Sequence, residues 1–194
     1  MIELLEVSKS YGDTKAVDNL SLEVRDGEIF GFIGPNGAGK TTTIKMTVGM
    51  LLPDSGTIRV NGVDVQKDPI AAKLGMAYVP DTPDVYEKLT GMQFINFIAD
   101  AYRVPPDQRR ERVQHLADVL EMSDALGDVI ESYSHGMRQK VVIIAALVHQ
   151  PKTWVLDEPL VGLDPKASFT LKAMMRDHVT EGNTVFFSTH ILEV

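Results

Sequence analysis

Two periodicities of apolar and polar residues divide the chain into strands and helices. Apolar and polar residues alternate from Leu20 to Val24, which predicts a half-buried strand. From Thr90 to Met122 the apolar residues recur at spacings of three and four, which predicts helices on either side of Pro105-Pro106. From Val141 to Val148 nearly every residue is apolar, so the helix predicted from His135 to His149 is expected to be buried.

Shorter apolar runs and turn residues predict the remaining elements. Asn61-Gly62 suits a type I′ turn and predicts a hairpin, and Pro165 stands where a helix can begin. The further predicted strands are 1–7, 29–33, 57–60, 63–65, 75–79, 153–156 and 184–188, and the further predicted helices are 43–50, 70–73 and 167–179. Because strands and helices alternate towards both ends of the chain, we expect a mostly parallel sheet with helices on both faces.

A glycine-rich loop joins the predicted strand 29–33 to the helix that follows it. The loop fits the pattern G-x-x-x-x-G-K-[ST], in which backbone N–H groups and a helix N-terminus form a cradle for phosphate. A chance glycine-rich turn is the alternative, and the strand-to-helix context argues against it. Lys40 is expected to reach the β- and γ-phosphates, and Thr41 to ligate Mg²⁺. The candidate nucleotide-binding residues of this loop are Gly34, Pro35, Asn36, Gly37, Ala38, Gly39, Lys40, Thr41 and Thr42.

Two adjacent carboxylates follow the apolar strand that begins at Thr153. Asp157 is expected to hold Mg²⁺ through water, in the manner of a Walker B aspartate. Glu158 is then placed to act as a general base on an attacking water. Two exposed acids at a strand end are the alternative, and the complete phosphate-binding loop upstream favours the functional interpretation.

Composition narrows the function classes. The 194 residues suffice for one domain, or for one domain with a subdomain. The 19 basic and 27 acidic residues leave a net charge of −8, which argues against nucleic acid as a partner. Without cysteine, neither disulfides nor thiolate metal sites form. A signal peptide is not expected, since residues 1–7 carry two acids, and the run Val141–Val148 is too short to span a bilayer.

Four further motifs occur in the order of a known family. Over its whole length the sequence resembles the nucleotide-binding subunit of an ATP-binding cassette (ABC) transporter. Tyr133-Ser134-His135-Gly136-Met137 stands where that family carries its Leu-Ser-Gly-Gly-Gln signature. Gly162-Leu163-Asp164 matches the D-loop, His190 the switch histidine, and Tyr11 the aromatic residue that stacks on adenine.

The resemblance implies that two subunits pack head to tail around two ATP molecules. The helix capped by Ser134 then points its N-terminus at the γ-phosphate held by the other subunit. The residues expected to contact the other subunit are Ser134, His135, Gly136 and Asp164, and His190 is expected to sense the γ-phosphate. Three alternatives remain open: Asp164 as a helix N-cap, His190 as a structural histidine, and Tyr11 as a half-buried residue at a strand end.

Three features depart from the family pattern. Asp81 follows Tyr78-Val79-Pro80, where the family has a glutamine that helps to ligate Mg²⁺. Aspartate also offers an oxygen ligand, but its side chain is shorter and charged. In the signature, His135 replaces the first glycine and Met137 the glutamine. The sequence ends soon after His190, whereas family members usually continue, so we expect either a truncated piece or a sheet that is finished differently.

The expected architecture is an α/β P-loop NTPase with a mostly parallel sheet, an antiparallel β subdomain and an inserted helical subdomain. Residues 1–80 and 151–194 are assigned to the catalytic core with the antiparallel β subdomain, and residues 81–150 to the helical subdomain. The cofactors that the resemblance implies are ATP and Mg²⁺. The implied partners are a second ABC subunit, identical or not, and a separate transmembrane permease that holds the protein at the inner face of the membrane.

The function expected from these features is ATP hydrolysis that powers transport, most resembling that of drug or antibiotic exporters. One alternative is an ABC protein without a transport role. Another is a nucleotide-binding regulator whose hydrolysis Asp81 impairs. A long coiled-coil insertion or a second cassette would favour the first alternative, and the sequence carries neither.

Overall fold

Two four-stranded sheets organise the first of two units in the computed structural model, which describes residues 1–190. The first unit comprises residues 1–78, 151–159 and 175–190, and the second comprises Val79–Gln150 and Leu160–Met174. The elements of the chain, in order, are β1 (Ile2–Tyr11), β2 (Thr14–Val24), β3 (Ile29–Ile33), α1 (Lys40–Thr47), β4 (Ser55–Val60), β5 (Val63–Asp64), α2 (Pro69–Leu74), β6 (Met76–Val79), α3 (Gly91–Ala101), α4 (Pro106–Val119), α5 (His135–Leu147), β7 (Thr153–Asp157), α6 (Pro165–Thr180) and β8 (Thr184–Thr189).

One sheet is antiparallel and has the strand order β2-β1-β4-β5. Its hairpin between β4 and β5 turns at Asn61 and Gly62, whose φ angles of 52° and 78° are those of a type I′ turn. The pairing of β1 with β2 is interrupted by register shifts between Leu4 and Val7 and again near Lys9. These shifts break the strict alternation, which is why the sequence pattern predicted only parts of these two long strands.

The other sheet has the order β3-β8-β7-β6, and β8 pairs in parallel with both β3 and β7. All residues of β7 and β8 are buried, as expected for central strands covered on both faces. Ile44 and Met46 of α1 lie in one apolar core with residues of the first sheet and with Val155 and Phe186 of the second. This core fixes α1, and with it the glycine-rich loop, between the two sheets.

Helices make up most of the second unit. Thr90 and Gln93 form a capping box at the start of α3, since each side chain bonds the other's backbone N–H. From Val141 to Leu147 every residue of α5 is buried, as the run of apolar residues predicted. Within residues 1–190, every helix is too short or too polar to cross a membrane.

Candidate functional site

The glycine-rich loop leads from the end of β3 into α1, as its sequence predicted. Gly34 donates its N–H to the carbonyl of Thr189 at the end of β8 (3.3 Å), which ties the loop to the neighbouring strand. The Lys40 ammonium donates to the carbonyls of Gly34 (2.6 Å) and Pro35 (3.1 Å), and only 7% of this residue is exposed. These two hydrogen bonds hold the ammonium against the backbone of the loop.

Gly39 forms the N-cap of α1 in a left-handed conformation (φ 84°) and makes no side-chain cap. A Cβ atom at this position would lie 2.2 Å from the carbonyl oxygen of Ala16 on β2, so only glycine fits there. The first N–H groups of α1 are thus left for a ligand, and the helix dipole favours an anion at this end. These features fit the phosphates of a nucleotide.

Asp157 lies at the end of β7 and is fully buried. One of its carboxylate oxygens, Oδ1, accepts a hydrogen bond from the Ser188 hydroxyl. The other, Oδ2, is buried without a hydrogen-bond partner among residues 1–190. A buried carboxylate oxygen without a donor is expensive, and a hydrated Mg²⁺ would supply what it lacks. The unpartnered oxygen of Asp157 therefore fits a hydrated magnesium ion, and Thr41, the other predicted ligand, lies in the first turn of α1.

Glu158 follows Asp157 in a left-handed conformation (φ 48°), which is uncommon for a residue with a side chain. Its Oε1 lies 3.9 Å from Lys40 Nζ, and its Oε2 lies 3.0 Å from Nδ1 of His190. The structure thus brings together three of the predicted site residues: the loop lysine, the carboxylate and the histidine. Strained backbone of this kind is found at sites where a side chain must point in one direction.

Ser188 is a site residue that the sequence analysis did not single out. Its hydroxyl donates to Asp157 Oδ1 and accepts the backbone N–H of Glu158 at 3.1 Å. Because Asp157 and Ser188 are paired in register on β7 and β8, one hydroxyl joins both carboxylate residues to the neighbouring strand. The only sequence signal was a hydroxyl residue at the end of a buried strand, two positions before His190.

Replacing Ser188 with alanine is expected to lower the free energy of unfolding by about 1–3 kcal/mol, because a buried carboxylate oxygen loses its donor. Urea denaturation measures this change. Ser55→Ala removes the same hydroxyl from an exposed position of β4 and is expected to change stability by less than about 0.5 kcal/mol. Equal stability of the two variants would show that the Ser188 hydroxyl does not support Asp157.

The predicted signature and D-loop residues lie in the second unit. Ser134 is the N-cap of α5, and its hydroxyl accepts the N–H of Met137 at 3.2 Å. Asp164 caps α6 in the same way, accepting the N–H of Ala167 at 2.8 Å. That hydrogen bond, with a smaller contribution from Lys140 at 3.6 Å, holds the pKa of the Asp164 carboxyl below its usual value. The capping alternative for Asp164 is thus present in the structure, and 56% of its side chain stays exposed.

Tyr11 and Asp81 are the two remaining residues predicted for the site. Tyr11 ends β1, where it pairs with Thr14 across a tight turn, and 54% of its surface is exposed. An exposed ring can stack on a base, so its position fits the predicted adenine contact better than the half-buried alternative. Asp81 is exposed, and its Oδ1 accepts the N–H of Thr82 at 2.9 Å.

Comparison with known proteins decides the family. Residues 17–161 match the family model described as ABC transporter. The chain belongs to the ABC transporter family. It is 33% identical to the linearmycin resistance ATP-binding protein LnrL of Bacillus subtilis, over 100% of this chain and 62% of that protein. It is 33% identical to the Nod factor export ATP-binding protein I of Rhizobium meliloti, over 99% of this chain and 57% of that protein.

A solved ATP-binding subunit of an ABC transporter has the same fold as this ABC cassette. The two share 33% of residues with a TM-score of 0.93, over 99% of this chain and 80% of the other. These findings confirm the predicted family and its α/β cassette fold. The chain spans only about 60% of the length of the two relatives named above, at 62% and 57%.

Proposed function

We propose that this ABC cassette binds and hydrolyses ATP, and that the hydrolysis powers transport through a separate membrane-spanning subunit. The observation that supports this most is the position of Glu158. Its carboxylate lies 3.9 Å from the phosphate-binding lysine of the loop and 3.0 Å from His190. A carboxylate beside the γ-phosphate position can accept a proton from an attacking water.

Each residue of the site has a distinct role in this proposal. The N–H groups of residues 34–42 and the Lys40 ammonium hold the phosphates. Tyr11 stacks on the adenine. Mg²⁺, when bound by Thr41 and Asp157, supplies positive charge that balances the phosphate oxygens. Asp81 is a further candidate ligand for this ion. Glu158 orients the water and accepts its proton, and His190 donates a hydrogen bond to the γ-phosphate.

The working unit is proposed to be a dimer, with an identical copy or with another ABC subunit. Ser134, Gly136 and Asp164 then face the nucleotide of the other subunit, with His135 beside them in the same interface, and the dimer closes on ATP and opens after hydrolysis. The direction is proposed to be export, because the two relatives are described as ATP-binding proteins of linearmycin resistance and of Nod factor export. The place of action is then the inner face of the membrane, held there by the permease.

The test is phosphate release by the purified chain with ATP, with and without Mg²⁺, together with sedimentation to detect dimers. Mg²⁺-dependent turnover supports the proposal. Binding of ATP without turnover favours instead the regulator whose hydrolysis Asp81 impairs, and Asp81→Gln would then restore turnover. Turnover without an ATP-dependent dimer would contradict the head-to-tail mechanism. Co-purification with a membrane-spanning protein separates a transporter subunit from an ABC protein without a transport role.

Replacing Lys40 with alanine is expected to weaken ATP binding by roughly 10- to 100-fold, since a charge-assisted hydrogen bond contributes about 1.5–3 kcal/mol. Titration calorimetry with ATP measures the dissociation constant. Lys45→Ala is the matched control, because it removes the same charge from the last turn of the same helix. If both variants bound ATP as tightly as the parent, the loop would not be the phosphate site.

A further inference from the structure

The imidazole of His135 packs directly against the backbone of Gly162. A Cβ atom built on Gly162 would lie 2.1 Å from His135 Cδ2 and 2.5 Å from Nε2. With the ring in this position no Cβ atom fits on residue 162, so the ring edge occupies the place where other residues carry their Cβ. Gly162 has a φ of 80°, in the left-handed region. Because glycine has no Cβ atom, its backbone can adopt more conformations than that of other residues.

Two further contacts join the same two segments. A Cβ atom on Gly136 would lie 2.9 Å from the carbonyl oxygen of Gly162, so the start of α5 also approaches the turn closely. One helical turn further on, the Lys140 ammonium lies 3.6 Å from Asp164 Oδ2, and only 12% of the lysine side chain is exposed. The segment from Gly162 to Asp164 is therefore held against α5 at both of its ends.

We propose that His135 is a positioning residue that fixes the Gly162 turn, and through it Asp164, against the start of α5. Because Asp164 Oδ1 caps α6, the position of its carboxylate depends on the backbone of the turn as well as on Lys140. The ring restricts a glycine turn that would otherwise sample several conformations. His135 thus acts within its own subunit, by packing, and need not contact the nucleotide of the other subunit.

The effect of this packing on the dimer rests on the proposed function, in which Ser134 and Asp164 both contact the other subunit. Ser134 caps α5 immediately before His135, and Asp164 lies two residues after Gly162. If the ring holds the two segments together, both residues meet the partner as one preformed surface. Preformed surfaces lose less entropy on association, so the ring should favour the closed dimer.

Hydrogen exchange of the whole chain without nucleotide tests the packing. His135→Ala removes the ring, and the amides of Leu163 and Ala167, which are bonded to Leu160 and Asp164, are expected to exchange about fivefold faster. His135→Phe keeps a planar ring without nitrogen, and exchange is expected to stay within about twofold of the parent. His115→Ala, an exposed histidine of α4, controls for the substitution itself. Unchanged exchange in His135→Ala would overturn the proposal.

Sedimentation of the same variants with Mg²⁺ and ATP, in a Glu158→Gln background that retains the nucleotide, tests the consequence for the dimer. The dissociation constant is expected to rise about tenfold in His135→Ala and to return to within about twofold in His135→Phe. Equal weakening by both variants would indicate a polar contact of the imidazole with the other subunit and would overturn the positioning role. Because the exchange experiment needs neither ATP nor a dimer, absence of dimers in every variant would count against the proposed function alone.

Discussion

Replacing Glu158 with glutamine is expected to slow ATP turnover by at least about 100-fold, the usual contribution of a general base. Glutamine has the same shape and keeps an oxygen, but it cannot accept a proton from water near neutral pH. The Lys40 ammonium still donates to the carbonyls of Gly34 and Pro35 in this variant, so the phosphate cradle keeps its geometry. ATP binding is therefore expected to stay within a few-fold of the parent.

Phosphate release under single-turnover conditions measures the chemical step separately from product release. Because hydrolysis opens the proposed dimer, the variant with ATP is expected to accumulate as a dimer in sedimentation, while the parent does so only transiently. Glu181→Gln makes the same change at an exposed position after α6 and should leave both quantities unchanged. Normal turnover in Glu158→Gln would show that the Glu158 carboxylate is not the general base. Asp157 and Asp81 would then be the remaining candidates for that role.

The parts of the fold that the sequence predicted well depend on local chemistry. The turn at Asn61-Gly62 requires two positive φ angles in succession, and few residue pairs adopt them easily. The glycine pattern of residues 34–42 predicts the loop that leads into α1. The hydroxyl of Ser134 predicts the N-cap of α5. In each case the residue type and its neighbours in the sequence were enough to predict the local structure.

Features that depend on contacts between distant segments could not be predicted in this way. The role of Ser188 follows from its pairing with Asp157, and the register of β7 on β8 is set by the whole sheet. The lengths of β1 and β2 were underestimated because irregular pairing hides the alternation of a strand. The contact of His135 with Gly162 joins residues 27 positions apart in the sequence, and no local sequence pattern predicts it.

Asp164 illustrates how one residue can satisfy a structural and a functional prediction together. Its Oδ1 caps α6, while Oδ2 faces Lys140 and much of the side chain stays exposed. Capping therefore uses only part of the carboxylate's hydrogen-bonding capacity. The proposed contact with the other subunit can use the remainder, and the cap itself gives the side chain a defined direction.

Replacing Gly39 with alanine is expected to have the largest effect on the fold of the site. Two costs add at this position. The left-handed conformation costs a residue with a Cβ about 1–2 kcal/mol, and the collision with the carbonyl of Ala16 adds about 1–3 kcal/mol of overpacking. The free energy of unfolding should therefore fall by about 2–5 kcal/mol, and ATP binding should be lost with the start of α1.

Gly37 provides a matched control in the same loop. Its φ of 83° is almost that of Gly39, but a Cβ atom built there meets no atom of the described chain within 4 Å. Gly37→Ala should therefore cost only the conformational part, about 1–2 kcal/mol, in urea denaturation without nucleotide. The difference between the two variants isolates the contact of the loop with β2. Equal destabilisation would mean that β2 can move aside, and the cradle would then depend on glycine for its conformation alone.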